Sequence, residues 1–227
     1  MLIDLIDIIE NTVNSIDNTL TFKVNGDELL TCDTSYLSVG SFITIGSQDY
    51  EVINVEQNVK IVLNTTVVDQ GETTAIITEP KFRHGTVARV NSELVNDLGK
   101  DESENYPLVF LLEELEIDYN INQVPYATSL IKLFFIDQTN YEDYTTSEHH
   151  NNTVKPLKSL VSKFIESLKN NSSIEGELVD NFTTNLHPLL AYTDRDGYTV
   201  NILNDDLSAI QLTIELPIKK SNKCCKN

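Results

Sequence analysis

The feature that most constrains this chain is a change in its hydrophobic period near residue 80. Before it, apolar residues alternate in short runs broken by turn residues. After it, runs at helical and at strand spacing follow in the order helix, strand, strand, helix, strand, strand. Two such patterns in 227 residues, 40% of them hydrophobic, predict an α+β chain of two units, about 80 and 140 residues long.

The first eighteen residues read as an N-terminal helix or arm. Leu2, Leu5, Ile6, Ile9, Val13 and Ile16 share a helical stripe from which Ile3 and Ile8 depart. A short helix that is apolar on two sides needs two surfaces to cover it, and the second is either a partner or the rest of its own chain. Asp4, Asp7 and Glu10 interrupt this segment, and it lacks the basic start of a secretory signal, so it is expected to stay in the mature protein. No apolar run approaches the roughly 20 residues of a membrane-spanning helix, and no membrane partner is expected.

Residues 19–80 predict a small β domain. Leu20, Phe22 and Val24 alternate, Asn25-Gly26 suits a type I′ hairpin turn, and further strands are expected at Phe42 to Ile45, Tyr50 to Val55, Val59 to Leu63 and Ala75 to Thr78. So many short strands predict a little barrel or sandwich, because a small flat sheet exposes its edges. Cys32 is expected to pack as a small hydrophobe.

Pro80 closes this unit, and Lys81 to Gly85 reads as a link into a domain spanning 81–218. Val87, Val90, Leu94 and Leu98 line a helix stopped by Gly99. Leu108 to Leu112 forms a candidate strand, and Thr128 to Asp137 carries apolar groups on both faces, as a central strand covered twice does. Gln138 to Asn152 reads as a polar loop. The strongest helical stripe follows, from Val154 to Leu168, with Pro156 in its first turn and Lys155, Lys158, Lys163 and Lys169 away from the stripe. Strands are expected at Leu189 to Thr193, Tyr198 to Leu203 and Ile210 to Ile218, with Pro217 marking an end or an edge. The expected second domain is thus α-β-β-α-β-β, a mostly antiparallel sheet with helices on one face. Residues 219–227 read as a disordered tail.

Several fragments imitate chemistry and fail on context. Ser129-Leu130-Ile131-Lys132 has the spacing of an acylating serine motif, but that motif opens a helix and this one lies in a strand. Asp194-Arg195-Asp196-Gly197 lacks the first and twelfth carboxylates of a calcium loop. His149-His150 has no further ligand at closing distance. Cys224-Cys225 sits in the tail, and three cysteines form neither a disulfide framework nor a zinc pattern. There is no Gly-rich phosphate loop, zinc-protease helix or nucleophile elbow, and no acid/base pair can be assembled from His84, His187 and the scattered carboxylates. No enzymatic activity and no cofactor are expected. A net charge of −19 argues against wrapping nucleic acid, although an acidic wall lets DNA pass without sticking. The charge is uneven: residues 101 to 119 carry seven acids and no base, whereas the later helix is basic. Such opposed patches can meet between neighbouring subunits.

Three stretches carry a resemblance: Tyr106-Pro107-Leu108-Val109-Phe110-Leu111-Leu112, Ser129 through Thr139, and the Lys155 to Leu168 helix. Their order and phrasing resemble tail-terminator, tail-completion and head-to-tail connector ring proteins of tailed bacteriophages, over about residues 82 to 218. More weakly, the acidic, Asn-rich chain with its added β domain resembles ring proteins of crAss-like bacteriophages. The resemblance implies a structural virion protein, assembled in the host cytoplasm and located in the tail or head-to-tail connector. Its copies would form a ring around the DNA channel and contact portal, adaptor or tail rings. On that reading the subunit interface draws on Leu2, Leu5, Ile6, Ile9, Leu130, Phe134 and Ile136, and the acidic channel or partner surface on Glu102, Glu104, Glu113, Glu114 and Glu116. The alternative is a non-enzymatic binding module that uses the β domain, which Phe42 and Tyr50 exposed in a groove would favour.

Overall fold

The computed structural model describes residues 4–68, 71, 73–96, 106–113, 115–118, 126–140, 143–193, 199–201 and 206–219. Leu2, Leu98, Gly99, Glu102, Glu104, Glu114, the 194–197 turn and the Cys224-Cys225 tail lie outside them.

The N-terminal stripe forms helix α1 (Leu5–Asn14), capped by the Asp4 carboxylate on the Asp7 N–H at 3.3 Å. Seven short strands follow: β1 (Thr19–Thr21), β2 (Lys23–Asn25), β3 (Glu28–Leu30), β4 (Phe42–Ile45), β5 (Gln48–Glu56), β6 (Lys60–Leu63) and β7 (Thr74–Ile77). They form one antiparallel sheet in the order β1-β7-β4-β5-β6-β3-β2. Its edge strands β1 and β2 are separated only by Phe22, so the sheet must curl, yet it is not a closed barrel. The β2–β3 hairpin turns through Gly26 and Asp27, and of these only Gly26 has a positive φ, 71°. That single angle belongs to a type II′ turn, not the expected type I′.

The segment read as a link is a strand, β8 (Lys81–Gly85), and is followed by helix α2 (Val87–Asn96). Then come β9 (Leu108–Leu112), β10 (Glu116–Asp118) and β11 (Tyr126–Gln138). β9 and β10 pair end to end along the same side of β11. The stretch read as a polar loop contains helix α3 (Thr146–His149), opened by a reciprocal cap between Thr145 and Glu148. A π-helical turn (His150–Val154) joins it to α4 (Lys155–Asn170). Strands β12 (Phe182–His187), β13 (Ala191–Thr193), β14 (Thr199–Asn201) and β15 (Leu207–Lys219) complete the chain. The second sheet runs β12-β15-β11-β9-β8, antiparallel except for the parallel β8–β9 pair, while β13 and β14 form a separate hairpin.

Alternation along β9, β11 and β15 explains the packing. Val109, Leu111, Ile131, Leu133, Phe135, Ile210, Leu212 and Ile214 share one face and are covered by α4 through Leu157, Leu160, Phe164 and Leu168. The opposite face puts Leu108, Phe110, Ile136 and Ala209 with Val90 of α2 and with Leu190. Helices therefore pack on both faces, not on one as the pattern suggested, because β8 brings α2 round to the far side.

The α4-side core does not stop at Pro80. It continues through α1 into Leu20, Leu29, Ile43, Val52, Ile61 and Ile77 of the first sheet. Helix α1 buries Leu5, Ile8, Ile9, Thr12 and Val13 and contacts both α4 and β8. Both sides of this two-faced helix are thus served by its own chain. A polar tie supports the contact: Asn171 Nδ2 donates to Thr12 Oγ1 at 2.9 Å and to the Ile8 carbonyl at 3.4 Å. Asn171→Ala is expected to cost about 1–2 kcal/mol, because it leaves Thr12 in the core with one bond fewer. A lower urea midpoint at unchanged slope is the expected reading, and an unchanged midpoint would show that the helix is held by apolar contact alone.

Candidate functional site

Burial sorts the residues expected at a subunit interface. Leu5, Ile9 and Ile136 are buried in the chain's own cores, which corrects the expectation that they face a neighbour. The reason is that the second apolar side of each element meets another part of the same chain. Ile6 and Phe134 are partly covered, and Phe134 stacks on Phe110 with ring centroids 6.0 Å apart. Among the described interface candidates Leu130 alone stands out, 58% exposed.

Leu130 sits in an acidic setting. Across the strands it opposes Glu116 of β10 and Glu215 of β15, both exposed, and Asp118 lies two positions beyond Glu116. Lys132, Thr183 and Asn185 are exposed on the same face. This half of the face, away from α2, is therefore open and mostly acidic or polar. Glu113 takes a different role, pairing with the His84 ring at the end of β8. Two of the α4 lysines also have partners in the chain: Lys163 reaches Asp33 at 3.4 Å and Lys169 reaches Asp180 at 3.3 Å. The basic helix face is partly neutralised before any neighbour arrives.

A small polar cleft lies where the two units meet. It encloses about 60 Å³ between Tyr36, Ser38, Gly40 and Ser41 of the first unit and Tyr106, Pro107, Asp137 and Gln138 of the second. That is space for a few waters, well short of the several hundred Å³ of a small-molecule site. Asp137 is buried, accepts the Gln138 N–H at 2.9 Å and is bonded by the Ser38 hydroxyl. Burial outweighs these bonds and pushes its pKa up to about 6. The Tyr36 hydroxyl is buried without a partner, and burial, then the nearby Glu79 and Asp17, raise its pKa further from the usual tyrosine value. The raised carboxylate has the Ser38 hydroxyl on it, a base beside a hydroxyl, but a space of a few waters leaves no room for a substrate next to them. The cleft reads as a polar seam between the units.

His149 makes the nearest approach to a catalytic pair, with Nε2 at 2.8 Å from Ser208 Oγ. Ser208 donates its proton to the Pro188 carbonyl at 2.6 Å, so His149 must be the donor in the first contact. The imidazole cannot then take a proton from that serine, which is itself buried. Desolvation holds the His149 pKa below its ordinary value, opposed by a bond to the Pro188 carbonyl. The pair fastens the α3 end to β15. Among the described residues no three His, Cys, Asp or Glu side chains converge as metal ligands, and no helix is long and apolar enough to cross a membrane.

In the first unit, Phe42 is exposed, but Tyr50 is buried, donating to Gln48 Oε1 at 2.9 Å and accepting the Val68 N–H at 3.2 Å. The aromatic groove that would mark a binding module does not form from this pair. Cys32 is exposed, against the expectation of a packed hydrophobe; it lies past the end of β3, in a bend whose buried positions are taken by Thr31 and Thr34.

Besides β8, β10 and α3, the sequence pattern also left out β12. Its signal was the alternation of Phe182, Thr184 and Leu186, three positions diluted by Thr183 and Asn185. It forms an edge of the second sheet, with Phe182 42% and Leu186 45% exposed. No known family model matches this chain, and no curated protein matches it at a significant level.

Proposed function

We propose that the chain is a structural ring protein of a tailed-bacteriophage virion, placed at the head-to-tail junction or in the tail, where copies surround the DNA channel and join adjacent rings. The observation that carries this reading is the open half of the second sheet, where Glu116, Leu130 and Glu215 stand in a row across β10, β11 and β15. Turned toward a lumen, such a wall repels a polyanion that must slide past it without being held. The main elements α2, β9, β11, α4, β12 and β15 support the same reading in their order, with β10, α3 and the β13–β14 hairpin inserted among them and β12 in addition to the strands expected from the sequence. The chemistry of the cleft and of the His149–Ser208 contact supports assembly over catalysis.

A ring closes through heterologous contacts, in which different surfaces of successive copies meet. The partly covered Ile6 and Phe134 remain the interface residues of this reading, Leu130 going to the channel wall instead, with portal, adaptor or tail rings as further partners. Electron micrographs of the purified full chain are expected to show closed rings with a central opening, alone or on addition of the virion component that templates them. Particles that stay single and asymmetric under both conditions would reject the ring.

A further inference from the structure

We infer that β12 is a self-pairing edge, on which a second copy of this chain docks antiparallel about a two-fold axis through Thr184.

The first ground is that the edge is unguarded. Edge strands normally carry lysine, inward charge, proline or a bulge to prevent pairing with other chains. The opposite edge of the same sheet follows that rule: β8 bears Lys81, Arg83 and His84, and Arg83 Nη1 occupies the Phe82 carbonyl at 3.4 Å. β12 has none of these devices. It is regular over six residues, Phe182 to His187, and all but His187 are exposed. Among the described residues only β15 pairs with it.

Charge points to the occupant. Two copies of a chain with net charge −19 repel each other wherever their acids meet. From Asn181 to Thr193 the chain carries no Asp, Glu, Lys or Arg, so here two copies can approach without that penalty.

Register supplies the specificity. Phe182, Thr184 and Leu186 oppose Ile214, Leu212 and Ile210 of β15, so they extend the α4-side face of the sheet beyond the cover of that helix. A two-fold axis normal to the sheet keeps this face continuous only if the strands cross at a residue and not between two. Crossing at Thr184 sets Phe182 against Leu186 of the second copy, twice, with Thr184 against itself. Thr183 then meets Asn185 on the other face. Both exposed apolar side chains gain an apolar neighbour and the threonines form a favourable cross-strand pair. The strand is complementary to itself. A two-fold contact closes after one use, so it is separate from the heterologous contacts of a ring and either joins two rings face to face or pairs free subunits.

The test uses the full chain with Cys32, Cys224 and Cys225 replaced by serine. Sedimentation at micromolar concentration is expected to give a dimer or an even-numbered assembly. Mild oxidation of Thr184→Cys is expected to yield a covalent dimer, whereas Thr183→Cys, offset from its own copy, yields none. The double variant Phe182→Lys/Leu186→Lys, folded by circular dichroism because both positions are exposed, is expected to lose the two-fold contact and halve the mass. A monomeric parent, an unchanged mass in the lysine variant, or equal cross-linking at positions 183 and 184 would each overturn the proposal. Rings that keep their mass in the lysine variant would overturn this contact and leave the ring reading standing, and dimers that never form rings would do the reverse.

Discussion

Phe164→Ala is expected to remove about 3–5 kcal/mol of stability, enough to leave a protein of ordinary stability largely unfolded. Phe164 is fully buried on α4 and meets Phe135 of β11 edge to face, with centroids 5.3 Å apart and planes at 66°. Removing the ring leaves a cavity between helix and sheet that neither can collapse to fill, because β11 is fixed by neighbours on both sides. The wider consequence concerns cooperativity. The core around Phe164 runs without a break through α1 into the first sheet, so both units should lose structure together. Amide exchange is the measurement that decides: β5 and β11 are expected to lose protection in parallel in the variant. Retained protection in β5 alone would mean that the first sheet stands on its own and that the boundary at Pro80 divides two cores.

That boundary shows what periodicity can and cannot report. The doubly apolar run from Leu130 to Ile136 was legible as a central strand covered on both faces; β11 is central, but only its Phe134 to Ile136 end is covered on both, and Leu130 stays exposed. The pattern carried no information on what does the covering. A neighbouring subunit and a distant part of the same chain impose the same spacing on a strand, and here α4 and α2 do the work assigned to a partner. Helix α1 repeats the point, its second side taken by packing that sequence spacing cannot show. Edges were the least legible elements. β8 has a single large apolar residue, Phe82, among Lys81, Arg83 and His84, and β12 has two among polar neighbours, since an edge has less surface to bury. The helix at Thr146 carried a readable signal, the Thr145 to Glu148 capping box, which its polar composition concealed.

The polar seam was not legible at all, because Asp137 ends an apolar strand and is buried by a loop about a hundred positions earlier in the chain. Its consequence is a measurable dependence on pH. Folding raises the Asp137 pKa from 3.8 to about 6, so the fold favours the neutral acid. The stability that this group contributes is fully present below about pH 4 and is lost as pH rises through about 6. A shift of two units corresponds to on the order of 3 kcal/mol. Asp137→Asn removes the titration while keeping an oxygen that can accept the Gln138 N–H, and the Ser38 hydroxyl can bond either atom of the amide. The variant is therefore expected to match the parent at pH 4 and to exceed it at pH 8 by up to that amount. Repulsion among the many other acids also weakens the fold as pH rises, but it acts on both proteins and cancels in the difference. Urea unfolding of the two chains across this range is the measurement. A variant no stronger than the parent at pH 8 would show that burial does not disfavour the ionised carboxylate in the seam.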